Sequence, residues 1–210
     1  MNHQNQKPTG TLFIISAPSG TGKTSLVMAL LKRLSHVKLS VSYTTRAIRP
    51  GEKDGIDYHF VSDDQFRDML NKNEFLEHAE VFKRHYGTAK HTVETALSDG
   101  FDVILEIDWQ GAKQIRKMFP KTASIFIFPP SIEALRARIL ERKQNTKEDA
   151  EYRINSAFSE ASHYAEYDYL IVNDEFEKAV SDLEIIFCAE RFRTKHQKYY
   201  LRDLLKTFYL

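Results

Sequence analysis

The run SAPSGTGKT, Ser16 to Thr24, lies between the apolar stretch TLFII and the amphipathic stretch SLVMALLKRL. It fits the spacing G-x-x-x-x-G-K-[ST], with Ala17 standing where the first glycine belongs. Glycines at 20 and 22 let the backbone turn its N–H groups inwards around phosphate oxygens, and a helix opening behind them adds the positive end of its dipole. Lys23 then reaches the outer phosphates, and the Thr24 hydroxyl is placed to join the coordination sphere of Mg²⁺. The expected cradle is therefore Ala17, Pro18, Ser19, Gly20, Thr21, Gly22, Lys23 and Thr24, and the group that suits it is a nucleoside triphosphate.

A bound triphosphate needs something to react with. In SVSYTTRAIRPGEKDGIDYHF, Arg46 and Arg49 are three apart and Tyr58 follows a turn. Two guanidinium forks and a phenol suit a second phosphate, since arginine donates two parallel hydrogen bonds to phosphate oxygens. Taken alone, the same residues also read as surface charges on a loop. Downstream, DVILEIDWQG carries Glu106 and Asp108 at the end of an apolar run, where a parallel sheet would set carboxylates beside the cradle. Arg138 and Arg142 share one helix face, and Arg153 follows in a highly charged segment that reads equally as a solvated surface.

These groups need elements to hold them. Apolar runs at Leu12–Ser16, Val103–Ile107, Ser124–Phe128 and Tyr169–Val172 have the character of strands buried on both faces, with a further strand expected over Leu39–Ser42. Helical spacing covers Thr24–Leu34, Asp63–Asn71, Val93–Ser98, Gly111–Met118, Ile132–Arg142, Ala150–Glu166 and Phe176–Lys206. The alternation predicts an α/β fold with a mainly parallel sheet between two helical layers, and ligands beyond the carboxyl ends of the strands. Tyr43 to Tyr86 is polar, turn-rich and dotted with aromatics, so it reads as an insertion of short antiparallel strands.

Composition narrows the classes. The chain has 210 residues, 30 Lys plus Arg against 29 Asp plus Glu and a formal charge of +1, so no overall field draws it to nucleic acid or membrane. The polar start MNHQNQKPTG lacks the apolar core of a signal peptide, and no run approaches a membrane span, so the expected location is cytoplasmic. A single cysteine, Cys188, excludes an internal disulfide. The basic, aromatic end RFRTKHQKYYLRDLLKTFYL is most simply a helix with a basic outer face; it leaves a homo-oligomer open.

The motifs SAPSGTGKT, VSYTTRAIRPGE, FLEHAEVFKRHYGT, ILEIDWQG, IFPPS and YLIVND stand in the order and at the spacing of guanylate kinases, and the chain resembles that family over residues 10–190. The resemblance implies one domain over 1–210: a P-loop core, a mixed-sheet GMP-binding insertion over 42–98, a helical lid over 133–158 and a helical tail over 191–210. It implies transfer of the terminal phosphoryl of ATP to GMP, with Mg²⁺. The acceptor residues it implies are Ser42, Arg46, Arg49, Tyr58, Glu77, Tyr86, Thr88 and Asp108. It places Asn173 near the adenine of ATP, Arg138, Arg142 and Arg153 over the phosphates on lid closure, and Asp108 beside Thr24 at the metal. Lys143 replaces a glycine of the family pattern. Guanine's chemistry agrees, because its N1–H and N2–H₂ form a paired donor edge that Glu77 or Asp108 can accept, while Ser42 or Thr88 can donate to O6. A kinase of small sugar phosphates and a non-catalytic phosphopeptide-binding module are the alternatives.

Overall fold

The structure is a computed structural model. It describes residues 9–141 and 147–208, and of 147–150 only their helical backbone. In chain order it runs β1 (Leu12–Ser16), α1 (Lys23–Arg33), β2 (Val37–Leu39), β3 (Tyr43–Thr44), β4 (His59–Phe60), α2 (Asp63–Asn71), β5 (Phe75–Val81), β6 (Arg84–Ala89), α3 (Lys90–Ser98), β7 (Asp102–Glu106), α4 (Trp109–Met118), β8 (Ala123–Phe128), α5 (Ile132–Leu140), α6 (Lys147–Ala161), a 3₁₀ turn (Tyr164–Glu166), β9 (Tyr169–Val172), α7 (Phe176–Arg191), α8 (Thr194–Tyr200) and α9 (Arg202–Phe208).

Five strands form a parallel sheet in the order β2-β7-β1-β8-β9. The alternation of side chains along β1 explains why its sequence is apolar throughout. Phe13 and Ile15 face Leu26 and Leu30 of α1 and Leu183 and Phe187 of α7, whereas Leu12 and Ile14 face Val93 of α3 and Ala112 and Ile115 of α4. Phe13 and Phe187 stack with centroids 3.7 Å apart. Each such fully buried side chain contributes about 1.5–3 kcal/mol. The expected three-layer core with a mainly parallel sheet is the observed one.

A second sheet, β4-β3-β6-β5, is mixed: β3 pairs parallel with β4 and antiparallel with β6, which pairs antiparallel with β5. A smaller apolar cluster of Leu135, Ile139, Ile154 and Ala157 joins α5 to α6. No described helix is long and apolar enough to cross a membrane.

Several expected elements differ. The helix expected over Ala150–Glu166 ends at Ala161 and is followed by the 3₁₀ turn, and the insertion expected as antiparallel strands includes the parallel pair β3–β4. The strand expected over Leu39–Ser42 lies at Val37–Leu39, because pairing with β7 ends when Ser40 N–H reaches Ile104 O at 3.0 Å, after which the chain leaves the sheet. The helix expected over Phe176–Lys206 is broken into α7, α8 and α9. Long-range anchors account for the break. Arg191 Nε pairs with the buried Asp102 at 3.0 Å, Tyr169 Oη donates to the buried Glu190 at 2.7 Å, and Gln197 Nε2 caps the Arg191 carbonyl at 2.9 Å as the chain turns.

Candidate active site

The loop between β1 and α1 turns on Gly20 and Gly22, at φ 90° and 92°, a left-handed conformation that a Cβ disfavours. Gly22 caps α1 without any side-chain hydrogen bond, so the N–H groups of the first turn are open to an anion. A Cβ on Gly22 would also meet Asn173 Nδ2 at 2.9 Å. That amide donates to Thr21 O at 2.7 Å, and Arg138 donates to Thr21 O at 3.2 Å and to Asn173 O at 3.3 Å. Asn173 and Arg138 therefore brace the loop from behind, and neither lines the cleft in front of it.

That cleft has a volume of about 460 Å³. Its walls are the loop from Ala17 to Thr24; Ser42, Arg46, Arg49, Tyr58, Glu77 and Tyr86 of the second sheet and its connections; Glu106 and Asp108 at the end of β7; and Arg153 and Glu160 of α6. A larger cavity, about 620 Å³, opens at the other end of β1 beside Thr11, Leu97 and His196, but it holds none of the cradle or arginine residues, so size alone does not mark the site. Arg142 lies outside the described residues, as does Lys143.

On the wall facing the loop, Arg46 is held by a two-pronged ion pair to Glu52, at 2.8 and 3.0 Å, and gives another hydrogen bond to Ala47 O. Glu52 also accepts the Arg49 N–H at 2.8 Å, which fixes the turn between the two arginines. The same guanidinium also engages the Tyr86 hydroxyl. Tyr58 packs edge-on to Tyr86, and burial pushes its phenol up to about 12, so it remains a neutral donor.

Glu77 lies on β5 with only 3% of its surface exposed. Burial pushes its carboxyl up to about 7; the hydrogen bond from Thr88 opposes this and the nearby Asp108 charge adds to it. Thr88 is opposite Glu77 in the β5–β6 ladder and its hydroxyl donates to Oε1 at 2.6 Å. A Cβ on Gly111, in the first turn of α4, would come 2.3 Å from Glu77 Oε2. Glycine there is what lets the carboxyl lie flat against the helix. Asp108 caps α4 through the Gly111 N–H at 3.0 Å and takes Gln110 Nε2 at 2.9 Å. The Thr24 hydroxyl donates instead to Glu106 Oε1, at 3.0 Å.

A sequence profile described as guanylate kinase matches residues 9–190. The guanylate kinase of Alkalilimnicola ehrlichii is 53% identical over 197 residues, covering 94% of this chain and 97% of its own. The chain belongs to the guanylate kinase family. Coxiella burnetii guanylate kinase is 53% identical over 194 residues, covering 92% of this chain and 94% of its own. The crystal structure of guanylate kinase from Anaplasma phagocytophilum superposes with a TM-score of 0.78 at 35% identity, covering 94% of this chain and 96% of that one.

Several residues of this guanylate kinase cleft escape sequence reasoning. Glu52, Gln110 and Gly111 act through partners, and Glu160 reaches the loop from α6. Burial raises the Glu160 carboxyl, and the facing Lys23 ammonium and a Ser19 backbone N–H offset part of that. The E in RPGE was the one local signal, since a carboxylate three after an arginine can turn back on it.

Proposed function

We propose that the chain transfers the γ-phosphoryl group of ATP to GMP, giving ADP and GDP. One observation carries the reading: two anion-binding walls, the loop with Lys23 and the pair Arg46 and Tyr58, face each other across one cleft with the buried carboxyl of Glu77 between them. The loop N–H groups and Lys23 hold the triphosphate; Arg46, Arg49, Tyr58 and Tyr86 hold the acceptor phosphate. Ionised Glu77 accepts from guanine N1–H and N2–H₂, while Ser42 is available to donate to O6 because the Thr88 proton is committed to Glu77. The acceptor phosphate is already an anion at neutral pH, so it attacks the γ-phosphorus in line without a strong general base. Arg153, 3.3 Å from the Ser19 hydroxyl, offsets the charge that spreads over the transferred oxygens, with Arg142 assigned to the same task, while Arg138 acts through the loop that it braces.

Thr24 Oγ1 and Glu106 Oε1 form an all-oxygen pair at the loop's edge that would suit Mg²⁺. When bound, the ion would neutralise charge on the phosphates. The remaining groups act on the substrates directly: they orient two anions and keep water out.

Coupled assays with GMP, AMP, UMP and a ribose bisphosphate as acceptors test the reading; GDP formation is expected with GMP, at a kcat/KM ~10⁴-fold above that with AMP. Equal turnover of AMP, or of the sugar phosphate, rejects it. Arg46→Met removes the phosphate fork and strands Glu52, and is expected to lower kcat/KM for GMP by ~10²–10³-fold with the KM for ATP little changed. Gly111→Ala places a methyl group on the Glu77 carboxyl, so it should raise the KM for GMP by about tenfold or more. An unchanged KM in that variant means the carboxyl is not held where the base binds.

A further inference from the structure

β5 and β6 end their ladder at Val81 and Arg84, so Phe82 and Lys83 form a two-residue turn. Both have positive φ, 52° and 58°, as the turns that match strand twist require and as Asn-Gly ordinarily supplies. Nothing local favours a phenylalanine there: its Cβ is strained in this backbone, and at a hairpin tip its ring has no core to enter. The contacts that repay the strain come from the lid. The Phe82 ring meets Tyr152 of α6 edge-on, with centroids 5.5 Å apart at 69°, and the Arg153 guanidinium lies over its face at 5.1 Å. Arg153 in turn donates to the Ser19 hydroxyl of the phosphate loop at 3.3 Å. Insertion, lid and loop are thus joined through one ring and one guanidinium.

We infer that Phe82 is a positioning residue for phosphoryl transfer, latching the acceptor-binding insertion to the lid so that Arg153 is held at the phosphate loop when both substrates are bound. The inference rests on the reading of the cleft as a GMP kinase. The ring gives Arg153 an apolar, electron-rich wall that narrows its range of rotamers. Phe82 itself makes no contact with a reacting atom in this scheme. Because the ring belongs to the element that takes GMP and the guanidinium to the one that closes over ATP, occupancy of either site favours the closed arrangement at the other. The coupling is reciprocal by linkage.

Phe82→Gly, Phe82→Tyr and Lys83→Gly separate this role from that of the turn. GMP binding is measured by calorimetry with and without a non-hydrolysable ATP analogue, beside kcat and Tm. Phe82→Gly is expected to have an unchanged or higher Tm, since glycine accepts positive φ freely, with GMP affinity alone within about twofold of the parent and kcat about tenfold lower. The factor by which the analogue tightens GMP should fall to about one. Phe82→Tyr keeps the ring and should keep turnover and coupling. Lys83→Gly relaxes the same turn without touching the latch and should also keep both. The inference is overturned if Phe82→Gly retains parental kcat and coupling, if it weakens GMP alone as much as it slows turnover, or if Lys83→Gly is equally slow. A parent that fails to phosphorylate GMP overturns the kinase reading and the latch with it; an active parent with an indifferent Phe82→Gly overturns the latch alone.

Discussion

Lys23→Ala is expected to lower kcat by ~10³-fold or more while the fold stays intact. Lys23 opens α1 and faces the cleft, and it belongs to none of the three clusters of buried apolar side chains. Its removal takes nothing from the core, so Tm should move by only about 2 °C. What it takes is the cation that follows charge onto the transferred oxygens, in a cleft where water has been displaced and screening is weak. Glu160 adds a local consequence: it loses the ammonium that offsets its burial, so its carboxyl should titrate still higher in the variant. Single-turnover kinetics with saturating ATP and GMP provide the check. A variant that keeps more than about a tenth of parental turnover removes the loop from the mechanism.

Glu77→Gln should have the second large effect, in two separable ways. An amide offers guanine one acceptor and one misplaced donor, so kcat/KM for GMP is expected to fall by ~10²–10³-fold and the rejection of AMP to relax. The pH dependence should change as well. The carboxyl titrates at 4.5 when unperturbed and at about 7 in the fold, because burial and Asp108 outweigh the Thr88 hydrogen bond. Guanine needs the ionised form, so GMP binding below pH 7 must expel a proton; the KM for GMP should fall from pH 6 to pH 8 in the parent and stay flat in the variant. For stability, the folded state retains the proton between those two values. Stability is therefore lost as pH rises from 4.5 to about 7, by on the order of 3 kcal/mol at most, and levels off above that. The variant lacks this loss and should gain on the parent across the same window in denaturant titrations. If the variant discriminates against AMP as strongly as the parent, Glu77 does not read the base.

The sheet and the phosphate loop were legible because their signals are local. LFII is buried on both faces, so it shows no alternation, and the loop's glycines, lysine and hydroxyl lie within one short run. The break after Arg191 was not legible, since its cause is Asp102, 89 residues away, together with Glu190 and Tyr169. Glu77 shows the same limit. FLEHAEV alone reads equally as a solvated helix end; it is a strand, and only Thr88 across the ladder and Gly111 on α4 make the carboxyl a buried one. Thr24 turns to Glu106 while Asp108, on the same cleft, caps α4 and takes Gln110, a difference between two carboxylates two residues apart that spacing could not resolve.

The seam between β5 and α4 has a kinetic corollary. Gln114 binds both backbone groups of His78, at 3.3 and 2.7 Å, and Gln110 Nε2 reaches Glu80 O at 3.2 Å, so the strand carrying Glu77 is riveted at two points to a helix of the rigid core. On the reading proposed above, the wall that meets the incoming base is thereby tied to the core. If that reading holds, a wrong nucleotide should be turned away without movement of this wall, and idle hydrolysis of the triphosphate in its presence should be slow.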